Sequence, residues 1–257
     1  METDWITHFL PAIERLLHGG DMYKDIFVLN PPWTFIMLSP SGLLPHQIAL
    51  WVGTILPIIA LVYAARKMRK AYLIAIVGLT FPFIELCAYG NLDWMVLLGA
   101  ITTSTLSPFL LTVKPQAGAL AVVGQLGKMR GKSWKEYVKA FGPFVIIGTP
   151  MLFIFPGFIH NFLIVNDRLP GLHAANFSLF PYTIPLAIPL LWFSYKRSEP
   201  LYGALASLCI SPYFYFHSII PSLFLIANKN WKWGLAANIF TWVIFVLILA
   251  QVIPIKF

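Results

Sequence analysis

Residues 47–70 read QIALWVGTILPIIALVYAARKMRK. Positions 47–65 carry no charge, and the run stops abruptly at Arg66, Lys67, Arg69 and Lys70. A helix needs about 20 apolar residues to cross hydrocarbon, and Lys and Arg collect on the cytoplasmic side of such helices. The stretch therefore reads as a membrane span running inward to a basic loop. The chain around it agrees. Of 257 residues, 58% are hydrophobic and 11% charged, against roughly 25% charged in a soluble domain. Mean hydropathy is +0.76. These values exclude a water-soluble globule and a disordered chain. Long unbroken apolar runs exclude a membrane β-barrel, whose strands alternate. The expected fold class is all-α: a polytopic helical membrane protein.

The net charge of +8 reads as topology rather than as affinity for nucleic acid. Thirteen of the eighteen Lys and Arg residues fall in four clusters. These are Arg66–Lys70; Lys128, Arg130, Lys132, Lys135 and Lys139; Lys196 and Arg197; and Lys229 and Lys232. All four are expected on the cytoplasmic face. Glu2, Asp4, Glu14, Asp21, Asp25, Asp93 and Asp167 lie outside them. Spans fitting this constraint are 47–65, 71–88, three short passes over 91–104, 105–114 and 116–128, then 141–159, 177–195, 200–213, 216–228 and 234–253. That makes about ten helices. Pro108 and Pro115 break the middle stretch, and the short passes are expected to line a cavity inside the protein.

Residues 1–46 form an external juxtamembrane region, and residues 47–257 the transmembrane domain. Trp5, Ile6, Phe9, Leu10, Ile13, Leu16 and Leu17 repeat at helical spacing, which suggests an amphipathic helix lying on the outer surface. Thr3 is placed to cap it, Pro11 to kink or restart it, and Gly19 and Gly20 to end it. A short apolar piece follows, Trp33 to Leu44, too short to span. The loop over 160–176 is expected outside. Cys87 and Cys209 show no framework or metal spacing and read as core packing. Glu2, Asp4, Glu14 and Arg15 leave no room for a cleavable signal peptide.

No phosphate loop, nucleophile elbow or metal motif is present, so no cofactor is expected. Lys114, inside TLSPFLLTVKPQAGAL, is the most telling residue. An ionisable group within membrane segments is costly and usually functional, and Pro115 and Gln116 mark a helix break beside it. The bland alternative is a snorkelling lysine. Glu85 either pairs with Lys114 or reaches the interface. Asn91 and Asp93 read first as caps of the next helix. His217, among aromatics in SPYFYFH, reads first as a structural histidine. Asn176-Phe177-Ser178 is a weak glycosylation match.

Taken in order, an acid ahead of the amphipathic stripe, HGGDMY, NPPWTFIMLSPSGLLP, YGNLDW, LTVKPQ, NFSL and SPYFYFH resemble the polytopic C-superfamily glycosyltransferases. The nearest branch is the polyprenyl-phosphate-mannose-dependent alpha-mannosyltransferases. The resemblance covers most of residues 4–220. It implies transfer of a sugar, mannose in that branch, from a polyprenyl-phosphate donor to an acceptor hydroxyl at the outer face, with inversion. It implies Asp4 as general base, Lys114 and His217 as donor-phosphate contacts, and Gln116, Asn91 and Tyr23 in support. Expected partners are membrane lipids, the lipid-linked donor and other membrane proteins, not nucleic acid. Family members carry a transmembrane helix ahead of the catalytic acid, whereas only Met1, Glu2 and Thr3 precede Asp4 here. The alternative is therefore a non-catalytic membrane subunit that keeps such a fold within a larger complex.

Overall fold

A computed structural model describes residues 3–24, 26, 28–164 and 176–250. Glu2, Asp25 and most of the expected external loop, including Asn166, Asp167, Arg168 and His173, lie outside the described residues. The described residues are helical, with no strand among them.

The first helix begins as a wide π turn over Trp5–Phe9 and continues as α1 (Leu10–Leu17). Pro11 sits in the first turn after the wide segment, where a proline without an N–H is tolerated. The Thr3 hydroxyl accepts the Ile6 N–H at 3.3 Å, as a cap should. Gly19 takes a left-handed φ of 72° where the helix stops. Most of the apolar stripe is covered by protein, while Ile6 and Leu17 stay 39% and 38% exposed. Trp5, Phe9, Leu10, Ala12 and Ile13 are buried in the protein's own core. They pack on α2 (Pro32–Gly42) and α3 (His46–Lys67). Trp5 fixes the arrangement: its indole N–H donates to the Ala49 carbonyl at 2.7 Å. A Cβ at Gly53 would stand 2.6 Å from the Trp5 ring, and one at Gly90, itself at φ +67°, 2.6 Å from Trp5 Cβ. Only glycine leaves that slot open.

The single outward helix expected over 71–88 is two helices, α4 (Tyr72–Gly78) and α5 (Phe81–Tyr89), bent by 77°. Thr80 is the reason. Its backbone is extended, its hydroxyl caps α5 by accepting the Phe83 N–H, and Pro82 follows in the first turn. The stretch 91–128 breaks as expected but into shorter pieces: α6 (Asp93–Ile101), α7 (Ser107–Thr112), α8 (Pro115–Gly118) and α9 (Val122–Lys128). α6 is buried nearly all round, through Trp94, Met95, Val96, Leu97 and Ala100.

α10 (Trp134–Ile154) starts earlier than hydropathy suggests, because Ser133 and Glu136 form a capping box ahead of the apolar run. α11 (Gly157–Leu163) follows the break at Pro156. α12 (Ile184–Arg197) begins later than expected, because residues 176–178 bond to residues 211–214 instead of joining a helix. α13 (Pro200–Ile210) ends at Ser211, held extended ahead of Pro212. A tight turn over Phe216–Ile219 leads into α14 (Ile220–Lys229), and α15 (Trp231–Leu249) closes the described chain.

Among the described residues, three helices are long and apolar enough to cross a membrane: α3, α10 and α15. The bent α4–α5 pair would make a fourth. The rest of the expected ten are too short by themselves, and prolines set their length: Pro108, Pro115, Pro200 and Pro221 all stand at helix starts.

The four basic clusters meet at one end. Arg130 donates to the Lys196 carbonyl at 2.6 Å. Lys229 pairs with Glu199 at 2.7 Å, two residues beyond Arg197. Lys70 donates to the carbonyl of Asn228, next to Lys229. The helix bearing Asp4 sits at the other end of α3, against Ala49. The 22 residues of α3 put about 33 Å between its two ends.

Candidate functional site

Asp4 stands at the head of the π turn, where the Trp5 slot holds it. Its Oδ2 accepts the Asn91 Nδ2–H at 2.6 Å. Asn91 is buried, follows the left-handed Gly90, and turns its Oδ1 toward two donors. One is the Leu92 N–H at 2.8 Å and the other Lys114 Nζ at 2.9 Å. Neither Asn91 nor Asp93 caps α6, whose N-cap position is Leu92 with no side-chain cap bond. Both serve Lys114 instead.

Lys114 sits between α7 and α8, 4% exposed. Besides Asn91, its ammonium meets Asp93 Oδ2 at 2.8 Å and His217 Nε2 at 2.9 Å. Three polar partners match its three N–H donors. It does not snorkel, and it does not pair with Glu85. Glu85 Oε2 lies 3.4 Å from His217 Nδ1, close enough for charge attraction but not aligned as a hydrogen bond. Asp93, fully buried, also approaches His217 Nε2 at 3.6 Å. A chain of polar contacts thus runs inward from half-exposed Asp4 through Asn91 and Lys114 to Asp93, His217 and Glu85.

A cavity of about 180 Å³ opens over the outer half of this chain. Asp4, Asn91, Lys114 and Gln116 line it, and among the described lining residues Asp4 is the one carboxylate. His217 does not line it; it sits one layer deeper, behind Lys114. Tyr23 does not line it either. Its hydroxyl donates to the Asn30 carbonyl at 2.7 Å, while Asn30 Nδ2 donates to the Val113 carbonyl at 2.9 Å. Tyr23 therefore braces Asn30, which is on the wall. Burial and the Asp21 charge hold the Tyr23 phenol well above its ordinary pKa, so it stays a donor.

The sequence reading missed Asn30, His8, Tyr213 and Tyr215 on the wall. His8 was legible: four residues after Asp4, it shares its helix face, and its Nδ1 lies 4.0 Å from Asp4 Oδ1. The tyrosines were not, because a long-range contact places them. Asn176 accepts the Phe214 N–H at 3.1 Å and donates to the Pro212 carbonyl at 3.2 Å. Phe177 stacks on Phe216 at 4.7 Å. The NFSL and SPYFYFH stretches thus dock together and aim the phenols at the cavity. Burial is the main cause that raises both phenols, with Asp4 among the charges that add to it, and Tyr215 is pushed up to about 12. Both remain hydrogen-bond donors at neutral pH.

A second cleft of about 160 Å³ adjoins the first and shares Leu29, Gln116 and Tyr213 with it. The remainder of its wall is mostly apolar, including Pro115, Leu120, Phe162 and Ile210. A polar chamber next to an apolar one suits an amphiphile. Among the described residues no His, Cys, Asp and Glu cluster could hold a metal ion. No family model, curated protein or solved structure matches this chain.

Proposed function

We propose that this chain is a multi-pass membrane glycosyltransferase that moves a sugar from a polyprenyl-phosphate donor to an acceptor hydroxyl, with inversion. Mannose is the sugar implied by the sequence resemblance. The observation that carries the reading is the Asp4 carboxylate, held at 2.6 Å by Asn91 on the wall of a polar cavity that adjoins an apolar cleft.

In this reading the prenyl chain lies in the cleft and the sugar phosphate in the cavity. Asp4 takes the proton of the acceptor hydroxyl. The hydroxyl oxygen bonds to the anomeric carbon as the bond from that carbon to the phosphate oxygen breaks, and the phosphate leaves with the electron pair. One carboxylate suits a single displacement, since retention through a covalent intermediate uses two. A phosphate oxygen takes the place of Asn91, which lines the cavity, as a partner of Lys114, which then stabilises the developing charge. His217 acts from behind Lys114. Tyr213 and Tyr215 supply neutral donors. Gln116, whose Nε2 stands 3.4 Å from the Tyr213 hydroxyl, marks the junction of head and tail.

Asp4→Asn keeps the shape and removes the basicity. Sugar transfer from a polyprenyl-phosphate-mannose donor should fall 10²–10⁴-fold while donor binding stays. Equal turnover in the variant would move the base elsewhere.

The orientation has its own test. In intact cells, an impermeant thiol reagent should label His46→Cys, at the Asp4 end of α3, and spare Lys135→Cys, with the unmodified chain giving the background of Cys87 and Cys209. The opposite pattern would invert the topology.

A non-catalytic membrane subunit is the second reading. The three filled donors of Lys114 favour it, because the buried network is complete without a ligand. An unmodified chain that transfers nothing from any polyprenyl-phosphate sugar, yet copurifies with a membrane complex, would support it.

A further inference from the structure

The basic end of the molecule holds a larger cavity than the Asp4 site. It measures about 650 Å³ and lies between the loop joining α6 to α7, the end of α9 and the start of α10. Lys128, Lys132 and Lys139 converge on it, with Thr103, Ser104 and Thr105 opposite. Its one carboxylate, Glu136, is already engaged. Glu136 accepts the Ser133 N–H at 3.0 Å and lies 3.5 Å from Lys132 Nζ. Lys128 and Lys139 have no carboxylate partner among the described residues, and the three hydroxyls make no hydrogen bond there. The groove thus presents two uncompensated positive charges and a row of free donors. That pattern suits a phosphate group and repels a cation.

The rest of the wall says how the phosphate arrives. Met129, Pro108, Ala140 and Phe141 give it an apolar floor. Beyond Phe141 the face of α10 continues outward with Val145 and Ile146, 57% and 71% exposed. Of the most apolar window of α10, 6% is buried against the protein. A headgroup seated among the lysines would have its acyl chains on that bare helix.

We propose that this groove binds the phosphate headgroup of an anionic phospholipid in the leaflet at the basic end. The site is separate from the Asp4 cavity and shares no lining residue with it. The proposal rests on the membrane reading above but not on catalysis.

The full chain in a neutral detergent tests it. Thermal unfolding is followed during titration with short-chain phosphatidylglycerol, short-chain phosphatidylcholine or inorganic phosphate. Phosphatidylglycerol should stabilise the chain at concentrations where phosphatidylcholine does not. Lys128→Gln with Lys139→Gln should weaken that effect roughly 30-fold, on about 1 kcal/mol for each lysine near an anionic headgroup, and leave the lipid-free unfolding temperature unchanged. The control pair Lys135→Gln with Lys232→Gln removes the same number of charges, but outside the groove, and should retain the response. Equal stabilisation by the two lipids, or equal loss in the control pair, would overturn the proposal. Stabilisation by inorganic phosphate with none by phosphatidylglycerol would assign the groove to a soluble phosphate compound and overturn the lipid assignment. Asp4→Asn should respond to phosphatidylglycerol as the unmodified chain does, which separates this test from that of the transferase reading.

Discussion

The two ends of α3 treat charge in opposite ways. At the Asp4 end Lys114, Asp93, His217 and Glu85 are all buried, and each charged group stands within 4 Å of another. At the basic end Lys128, Lys132 and Lys139 are exposed, and one carboxylate serves the three. A buried charge must be compensated by the protein, since no water is there to do it. An exposed one is left to solvent, lipid or ligand. The first arrangement therefore fixes geometry, and the second leaves binding capacity free. This is why the acid proposed as a base is found at the end of a rigid polar chain, and the groove proposed for a lipid at a loosely paired one.

The largest effect expected from this contrast is at Lys114. Lys114→Met leaves Asp93 buried without its ammonium. Breaking a buried pair from one side costs about 3–5 kcal/mol, so thermal unfolding in detergent should move down by many degrees or the chain should fail to accumulate. Removing both partners, Lys114→Met with Asp93→Leu, should recover part of that loss, because no charge is then stranded. An unfolding temperature unchanged in Lys114→Met would mean that the pair is not buried as described, and the contrast between the two ends would fail.

That pair also marks the limit of what the sequence made legible. Lys114 stands out locally: a lone cation in an apolar run, beside a proline. The helix breaks at Pro108 and Pro115, the stripe on α1 and its glycine stop are local patterns too, and the structure bears them out. Asp93 carries an equally clear local pattern, an acid at a helix start, and there the pattern misleads. The position does favour an acid, but what decides its role is a lysine 21 residues on and a histidine 103 residues beyond that lysine. Spacing within one helix holds no information about such partners. The same applies to the stripe on α1: its periodicity shows that one face is apolar, not whether lipid or protein covers it. Trp5 settled that through Gly53 and Gly90, which are 48 and 85 positions away in the chain. The bend at Thr80 could have been read from Thr-Phe-Pro, a cap followed by proline, had continuous hydropathy not outweighed it.

The smallest effect belongs to the basic end. Lys229 and Glu199 form a close pair there, 2.7 Å and 3.0 Å to the two carboxylate oxygens, with the Tyr202 hydroxyl at 3.3 Å. The contact is shorter than the one between Lys114 and Asp93, so distance alone would rank it higher. Exposure reverses the order: the side chains are 48% and 35% exposed, and such pairs contribute about 0.2–1 kcal/mol. The Glu199 hydrogen bond raises the Lys229 pKa above its ordinary value, with partial burial opposing and Tyr202 assisting. Since the folded value lies above the unfolded one, the contribution is whole below the unfolded lysine's value of about 10.4 and is lost as pH rises through the folded value. Lys229→Met should therefore lower the unfolding temperature by no more than a few degrees at neutral pH. The difference should shrink above pH ~10.4 and also in high salt, where the screening length between exposed charges falls to about 3 Å at 1 M. The Lys114 defect should persist in the same salt, because a buried pair is screened far less. A Lys229 defect as large as that of Lys114, or one indifferent to salt, would show that burial is not what separates the two ends.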